Sequence, residues 1–127
     1  MRIEHVAIWT RDLERLKSFC ETYFEVVAGA RYASTTRPFE SHFLSFASGA
    51  RLELMRLPDL DDADYSRNIV GLAHLAVSTG SREAVDTLTR RLRGDGYTVV
   101  DGPRATGDGY YESVVLDPDG NRIELTV

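Results

Sequence analysis

The sequence predicts an α+β fold made of two tandem βαβββ modules within a single domain of 127 residues. Two internal matches support this prediction. Gly49–Leu54 reads G-A-R-L-E-L and Gly120–Leu125 reads G-N-R-I-E-L, while Ile3–Ile8 (I-E-H-V-A-I) is matched by Leu72–Val77 (L-A-H-L-A-V). A third observation is that the pattern of strand, helix and three strands occurs twice. We therefore place module one at residues 1–57, an acidic linker at 58–69 and module two at 70–127.

The elements of module one follow from hydrophobic periodicity. Apolar residues recur at three- and four-residue steps in the helix, and alternate with polar residues in the strands. We expect a strand at Ile3–Trp9, a helix at Asp12–Phe24, a weakly indicated strand at Ala30–Thr35, and strands at Ser41–Phe46 and Arg51–Leu57. Cys20 falls on the apolar stripe of the helix, which predicts a small core residue rather than a nucleophile.

Module two repeats this order. We expect a strand at Leu72–Val77, a helix at Arg82–Leu92, and strands at Tyr97–Val100, Tyr111–Leu116 and Arg122–Val127, with a glycine-rich loop at Pro103–Gly109. Asp-Pro-Asp-Gly at 117–120 predicts a tight turn, because proline presets φ and glycine tolerates a left-handed conformation. Each module alone has fewer than 65 residues and would be marginally stable, which favours packing the two together.

Composition narrows the range of functions. A net charge of −5 argues against a nucleic-acid partner, and no apolar run approaches the roughly 20 residues of a membrane span. A single cysteine cannot form an internal disulfide, so we expect a cytoplasmic protein. The aspartates of the linker lack the glycine-centred alternation of oxygen ligands that is typical of hard-cation loops, so we interpret them as solvated.

Four residues at matched positions are candidate metal ligands. His5 and His74 lie in the first strand of each module, and Glu53 and Glu124 lie in the last. Where these strands are neighbours in a sheet, each histidine shares a face with its glutamate, and the duplication brings two imidazole nitrogens and two carboxylate oxygens together. This set suits a divalent transition metal. A single strand histidine or glutamate is usually a core or solvated residue, but that account does not explain why both modules carry the same pair.

These residues and motifs resemble the vicinal oxygen chelate superfamily, which contains glyoxalase I, bleomycin resistance proteins and extradiol dioxygenases. The D-P-D-G-N-x-I-E-L segment and the paired H-x-A strands are the most specific parts of the resemblance. It implies a curved mixed sheet around a metal cavity, with His5, Glu53, His74 and Glu124 as ligands as in glyoxalase I. The implied ion is nickel, zinc, cobalt, manganese or iron. The implied partners are a small-molecule substrate, with a thiol adduct as one candidate, and a second copy in a homodimer whose site lies within one chain or is shared.

The implied activity is that of a metal-dependent lyase or isomerase that removes a proton next to a chelated carbonyl and stabilises the enediolate. Glu124 is our preferred general base, with Glu53 as its symmetric rival. Trp9, Arg51 and Met55 share the faces of these residues and are candidates to line the cavity. Trp9 replaces the arginine that glyoxalase I uses to bind glutathione, which leaves the thiol undetermined.

Other activities of the superfamily remain open. They include acyl-coenzyme-A epimerases, fosfomycin-type thiol transferases, dioxygenases and metal-free drug-binding resistance proteins. Arg51 and Arg122 are candidates to meet an anionic substrate, with solvated strand-end arginines as the alternative. His42 alternates with Leu44 and Phe46 and is a candidate to face the cavity, but it has no counterpart in module two and is left out of the ligand set.

Overall fold

The computed structural model describes residues 1–61 and 70–127, which form two compact units, Met1–Ala63 and Asp64–Val127. The first unit contains β1 (His5–Trp9), α1 (Leu13–Tyr23), β2 (Val27–Ala28), β3 (Tyr32–Ala33), β4 (Glu40–Ser45) and β5 (Arg51–Arg56). The second contains β6 (Leu75–Ser78), α2 (Arg82–Gly94), β7 (Val99–Ala105), β8 (Tyr111–Leu116) and β9 (Arg122–Thr126).

In the first unit the first and last strands are neighbours. The sheet has the order β1-β5-β4-β2, with β3 also paired to β4, and β1 and β5 run parallel. Helix α1 begins after Asp12, whose side chain accepts a hydrogen bond from the backbone N–H of Arg15. The buried residues of α1 are Leu13, Leu16, Phe19 and Cys20. The prediction that Cys20 is a core residue is therefore confirmed.

The second unit has a corresponding strand order but four strands instead of five. Its sheet has the order β6-β9-β8-β7, and β6 runs parallel to β9. Helix α2 begins after Ser81, whose hydroxyl accepts from the backbone N–H of Ala84, and it buries Val85, Thr89 and Leu92. Two mixed sheets with one helix each confirm the predicted α+β fold with two modules.

Two predicted strand boundaries were wrong. The strand predicted at Ala30–Thr35 is present only as the short strand β3 inside that range, and a second short strand, β2, precedes it. The two strands pair with different parts of β4. Strand β7 continues through Pro103 into the predicted loop. Proline is tolerated there because β7 is the edge strand, and because its register with β8 shifts between Asp101 and Arg104.

The acidic linker can be described only in part. Residues 58–61 form neither helix nor strand, and residues 62–69 of the predicted linker lie outside the described residues. Within the part of the chain that is described, no helix is long and apolar enough to cross a membrane.

Candidate metal centre

The first His–Glu pair lies on one face of the first sheet. Parallel pairing of β1 with β5 sets Ala7 opposite Glu53, so His5, two residues earlier, occupies the diagonal position on the same face. Nε2 of His5 lies 3.8 Å from Oε2 of Glu53. The imidazole is 40% exposed and the carboxylate 14%, so the pair is held by the sheet while its outer edge remains accessible.

The second pair reproduces this geometry. Strand β6 pairs with β9 so that Ala76 lies opposite Glu124, and His74 again lies two residues before that partner. Nε2 of His74 is 3.4 Å from Oε2 of Glu124, with exposed fractions of 43% and 16%. The prediction placed His74 inside a strand, but in the structure it immediately precedes β6. The sequence prediction of a matched pair in each module agrees with these two distances.

A tight turn sets the start of the strand that carries Glu124. One carboxylate oxygen of Asp117 accepts hydrogen bonds from the backbone N–H groups of Asp119 (2.9 Å) and Asn121 (2.8 Å), and the other accepts from the Asn121 side chain at 2.7 Å. Gly120 has a φ of 90°, as the predicted Asp-Pro-Asp-Gly turn requires. Burial raises the pKa of Asp117, and the hydrogen bonds from Asn121 and Asp119 offset only part of that increase.

The surroundings of His5 include two residues that the sequence analysis did not assign to the site. Nδ1 of His5 lies 2.6 Å from Oε2 of Glu4, and the ring of Phe43 meets the imidazole edge to face at 5.4 Å. In the strand predicted at Ile3–Trp9, alternation would set Glu4 on the opposite face from His5, but Glu4 precedes β1 and is not bound by that alternation. Two features of the sequence could have indicated Glu4. It is adjacent to the candidate ligand His5, and its charge is opposite to that of Arg51.

The hydrogen bond with His5, followed by the one with Arg51, lowers the pKa of Glu4. Arg51 bonds to Oε1 of Glu4 through Nε at 2.9 Å and also through Nη2. This arginine is therefore engaged within the first unit rather than free at a strand end.

The other candidate residues of the first unit divide between the two faces of its sheet. Trp9 pairs with Met55 in register, two positions along from Ala7 and Glu53, so both share the face of the first pair. Trp9 is 45% exposed. His42 is buried on the side of α1, where its nitrogens lie 2.9 Å from the carbonyl oxygen of Gly29 and 3.2 Å from a carboxylate oxygen of Glu14. The prediction that His42 faces the cavity was wrong, and its exclusion from the ligand set agrees with this position.

Each pair has donor atoms suited to a divalent transition metal. Ligand atoms about 2.0–2.2 Å from such an ion lie roughly 3 to 3.5 Å from each other. The separation in the second pair falls in this range, and that in the first is slightly wider. Each pair supplies two donors; within residues 1–61 and 70–127, no group of three or more His, Cys, Asp or Glu side chains is placed to hold a metal ion.

A comparison with known families identifies the superfamily of the chain. Residues 2–125 match the model of the Glyoxalase/Bleomycin resistance protein/Dioxygenase superfamily. The chain belongs to this superfamily. Its two modules, each with a parallel first and last strand, are thus the superfamily fold, as the resemblance predicted.

A curated relative found by sequence has no assigned activity. A match of 40% identity over 67 residues links it to the uncharacterized protein YqjT of Bacillus subtilis, covering 50% of this chain and 52% of YqjT. The chain thus spans about half the length of that curated relative.

Two solved structures share the superfamily fold over nearly all of the chain. One is a glyoxylase/bleomycin resistance protein/dioxygenase domain from Frankia, at 20% identity and a TM-score of 0.83, covering 100% of this chain and 97% of that one. The other is the trypanothione-dependent glyoxalase I of Leishmania major, at 21% identity and a TM-score of 0.79, covering 99% and 86%. At these identities the likeness concerns the fold alone.

Proposed function

We propose that the chain is a divalent-metal-dependent lyase or isomerase of glyoxalase I type, in which His5, Glu53, His74 and Glu124 bind one ion. The observation that carries the proposal is the repetition of one geometry: each unit presents a histidine Nε2 within 4 Å of a glutamate oxygen, at the same diagonal register. Nickel, zinc, cobalt, manganese and iron all suit two nitrogen and two oxygen donors.

The bound ion would act as a Lewis acid that stabilises negative charge on substrate oxygens while a proton leaves the adjacent carbon. Glu124 accepts that proton and returns it to the neighbouring carbon, so that the overall reaction is an isomerisation with no net loss of atoms. Glu53 holds the equivalent position in the first unit and is the alternative base. General-base catalysis of this kind contributes about 10²–10⁴-fold to the rate.

The substrate is proposed to be a small molecule whose adjacent oxygens can reach the ion, with a thiol adduct as one candidate. Trp9 and Met55 add apolar surface on the face that carries His5 and Glu53. We further propose that the protein is a homodimer. A cytoplasmic location remains a prediction, based on its single cysteine.

Metal content is the first test of this proposal. Protein purified without added metal, and then reconstituted with one ion at a time, is expected to bind about one ion per four-ligand set by elemental analysis. His74→Ala and Glu124→Ala should each reduce that occupancy. A wild-type protein that takes up none of the five ions would refute the proposal and favour a metal-free binding protein.

Activity tests the role of Glu124. Reconstituted protein is assayed with hemithioacetals, with acyl-coenzyme-A epimers, and with fosfomycin plus thiols. The substrate that is turned over distinguishes a glyoxalase from the other enzymes of the superfamily. Glu124→Gln keeps the shape of the side chain but removes its basicity, and is expected to lower kcat by about 10²-fold or more. Glu83→Gln, an exposed change at the start of α2, is the matched control. Undiminished turnover by Glu124→Gln would eliminate Glu124 as the base.

A mixing experiment tests whether two chains share a site. His5→Ala and Glu124→Ala are each expected to be inactive. If each site takes one pair from each chain, a mixed dimer regains one intact site and activity returns. If each chain supplies all four ligands to its own site, the mixture stays inactive.

A further inference from the structure

The two His–Glu pairs differ in what lies behind the histidine. In the first unit, Oε2 of Glu4 lies 2.6 Å from Nδ1 of His5. An ionised carboxylate can only accept hydrogen bonds, so Nδ1 must carry the proton. Whenever the ring is neutral, Nε2 then has the lone pair, on the side where Glu53 lies. Two acceptors that face each other across 3.8 Å are an arrangement that a cation would stabilise.

Glu4 is itself held in place from a second direction. Arg51, the register partner of His5, bonds to the other carboxylate oxygen of Glu4 through two guanidinium nitrogens. The same guanidinium lies over the ring of Phe43 at 4.2 Å, and that ring also contacts His5. Glu4, Arg51 and Phe43 thus form a frame that restricts the orientation of the His5 ring.

The second unit does not contain this frame. Ala73 precedes His74 where Glu4 precedes His5, and Val114, the register partner of Glu124, stands where Phe43 pairs with Glu53. Only the arginine recurs, as Arg122. Among the residues that the structure describes, the polar side chain that His74 contacts is Glu124. By the same rule, the Glu124 carboxylate favours a proton on Nε2 of a neutral His74 ring, and no carboxylate among the described residues draws it to Nδ1 as Glu4 does for His5.

We infer that Glu4 is a positioning residue that fixes the tautomer and orientation of His5 for metal binding, which makes the first pair the pre-organised half of the metal centre. This inference rests on the proposed function. A carboxylate that accepts the second N–H of a metal-binding histidine sets its tautomer and increases its basicity, and its loss typically reduces metal affinity 10- to 100-fold. The second pair has to adopt its binding form when the ion arrives.

The tautomer can be measured without metal. Long-range ¹⁵N–¹H spectra of the metal-free, histidine-labelled chain at neutral pH are expected to show His5 with its proton on Nδ1. In Glu4→Ala, the His5 signals should move towards the Nε2–H form that an unconstrained imidazole prefers, while those of His74 stay unchanged. The backbone hydrogen bond from Arg51 N–H to the Glu4 carbonyl is independent of the side chain, so we expect the fold to persist, as circular dichroism would verify.

Metal affinity supplies the second readout. Titration with Zn²⁺ and with Ni²⁺ is expected to give about 10- to 100-fold weaker binding for Glu4→Ala than for wild type. Glu4→Gln keeps an acceptor oxygen and should fall between the two. Glu21→Ala removes one carboxylate from the outer side of α1, where it pairs with Lys17, and should bind as wild type.

The outcomes distinguish this inference from the proposed function. A wild type that binds neither ion refutes the proposed function and this inference with it. A wild type that binds, together with a Glu4→Ala variant of unchanged affinity or unchanged His5 tautomer, refutes the role of Glu4 alone. A loss of affinity equal to that of Glu21→Ala shows an effect of net charge and also refutes it.

Discussion

A buried hydroxyl pair joins α2 to the sheet that carries Glu124, and its hydrogen-bond directions predict an unequal effect of two substitutions. Thr89 and Ser113 are both essentially inaccessible to solvent. Thr89 Oγ1 donates to the carbonyl oxygen of Val85 at 2.7 Å and lies 2.6 Å from Ser113 Oγ. Because threonine has one hydroxyl proton, which goes to Val85, Ser113 must be the donor between the two side chains.

The two substitutions therefore leave different groups without a partner. Thr89→Val removes the acceptor of the buried Ser113 hydroxyl, and an unsatisfied buried donor costs about 1–3 kcal/mol. Ser113→Ala removes only the donor and leaves the Thr89 proton bonded to Val85, so we expect a loss of about 0.5–1.5 kcal/mol. In the double variant no hydroxyl is left unsatisfied, so its cost should be smaller than the sum of the two.

Urea denaturation followed by circular dichroism measures these differences, with m-values compared to ensure that the same transition is observed. The double-mutant cycle gives the coupling between the two side chains. A larger loss for Ser113→Ala than for Thr89→Val would refute the assigned hydrogen-bond directions. Strictly additive effects would show that the pair is not coupled.

Three further predictions concern strand β7, the turn at Asp117 and the metal centre. Gly102→Ala should destabilise the chain by about 1–3 kcal/mol in denaturant titrations, because a Cβ would lie 2.5 Å from the Glu112 carbonyl oxygen at a φ of +75°; wild-type stability would contradict this. Burial raises the pKa of Asp117 above its ordinary 3.8, so the folded state keeps this proton to a higher pH than the unfolded chain, and stability should fall as pH rises from 3.8 through the folded value. Asp117→Asn should remove that decline in unfolding curves recorded across this pH range, and an unchanged slope would count against it. A saturating metal at 100 times its Kd should stabilise the wild type by about 2.7 kcal/mol, and His74→Ala should lose most of this in thermal unfolding; an equal metal-induced shift in both proteins would exclude His74 as a ligand.

Sequence periodicity was sufficient to predict the two His–Glu pairs, whose residues lie inside or beside regular strands. Alternation fixes which residues share a face, so the repeated histidine and glutamate positions predicted a pair in each module, and the two strand registers agree with it. Glu4 was missed because it lies one residue before β1, where the backbone is free to direct the side chain towards His5 and Arg51.

The misplaced fold boundaries have a related cause. Gly102 and Pro103 are local signals for a loop, but pairing with β8 and a shifted register keep this segment in the sheet. Alternation correctly grouped His42 with Leu44, and both are buried. The error was the expectation that their face of the sheet lines the cavity, whereas His42 lies against α1. Its contact with Glu14, 28 residues earlier in the chain, is one that no local pattern could identify. In both cases the outcome depends on contacts between segments that are distant in the sequence.

The duplication also bears on why the His–Glu pairs exist. If the His–Glu pairs served only to pack against neighbouring side chains, units with different neighbours would be expected to have different pairs. Here the neighbours differ, with Phe43 beside Glu53 and Val114 beside Glu124. The histidine, the glutamate and their diagonal register are nevertheless the same in both units. The metal ion of the proposed function would account for that combination, because it would require the same donor atoms from each unit and leave each free to support them differently.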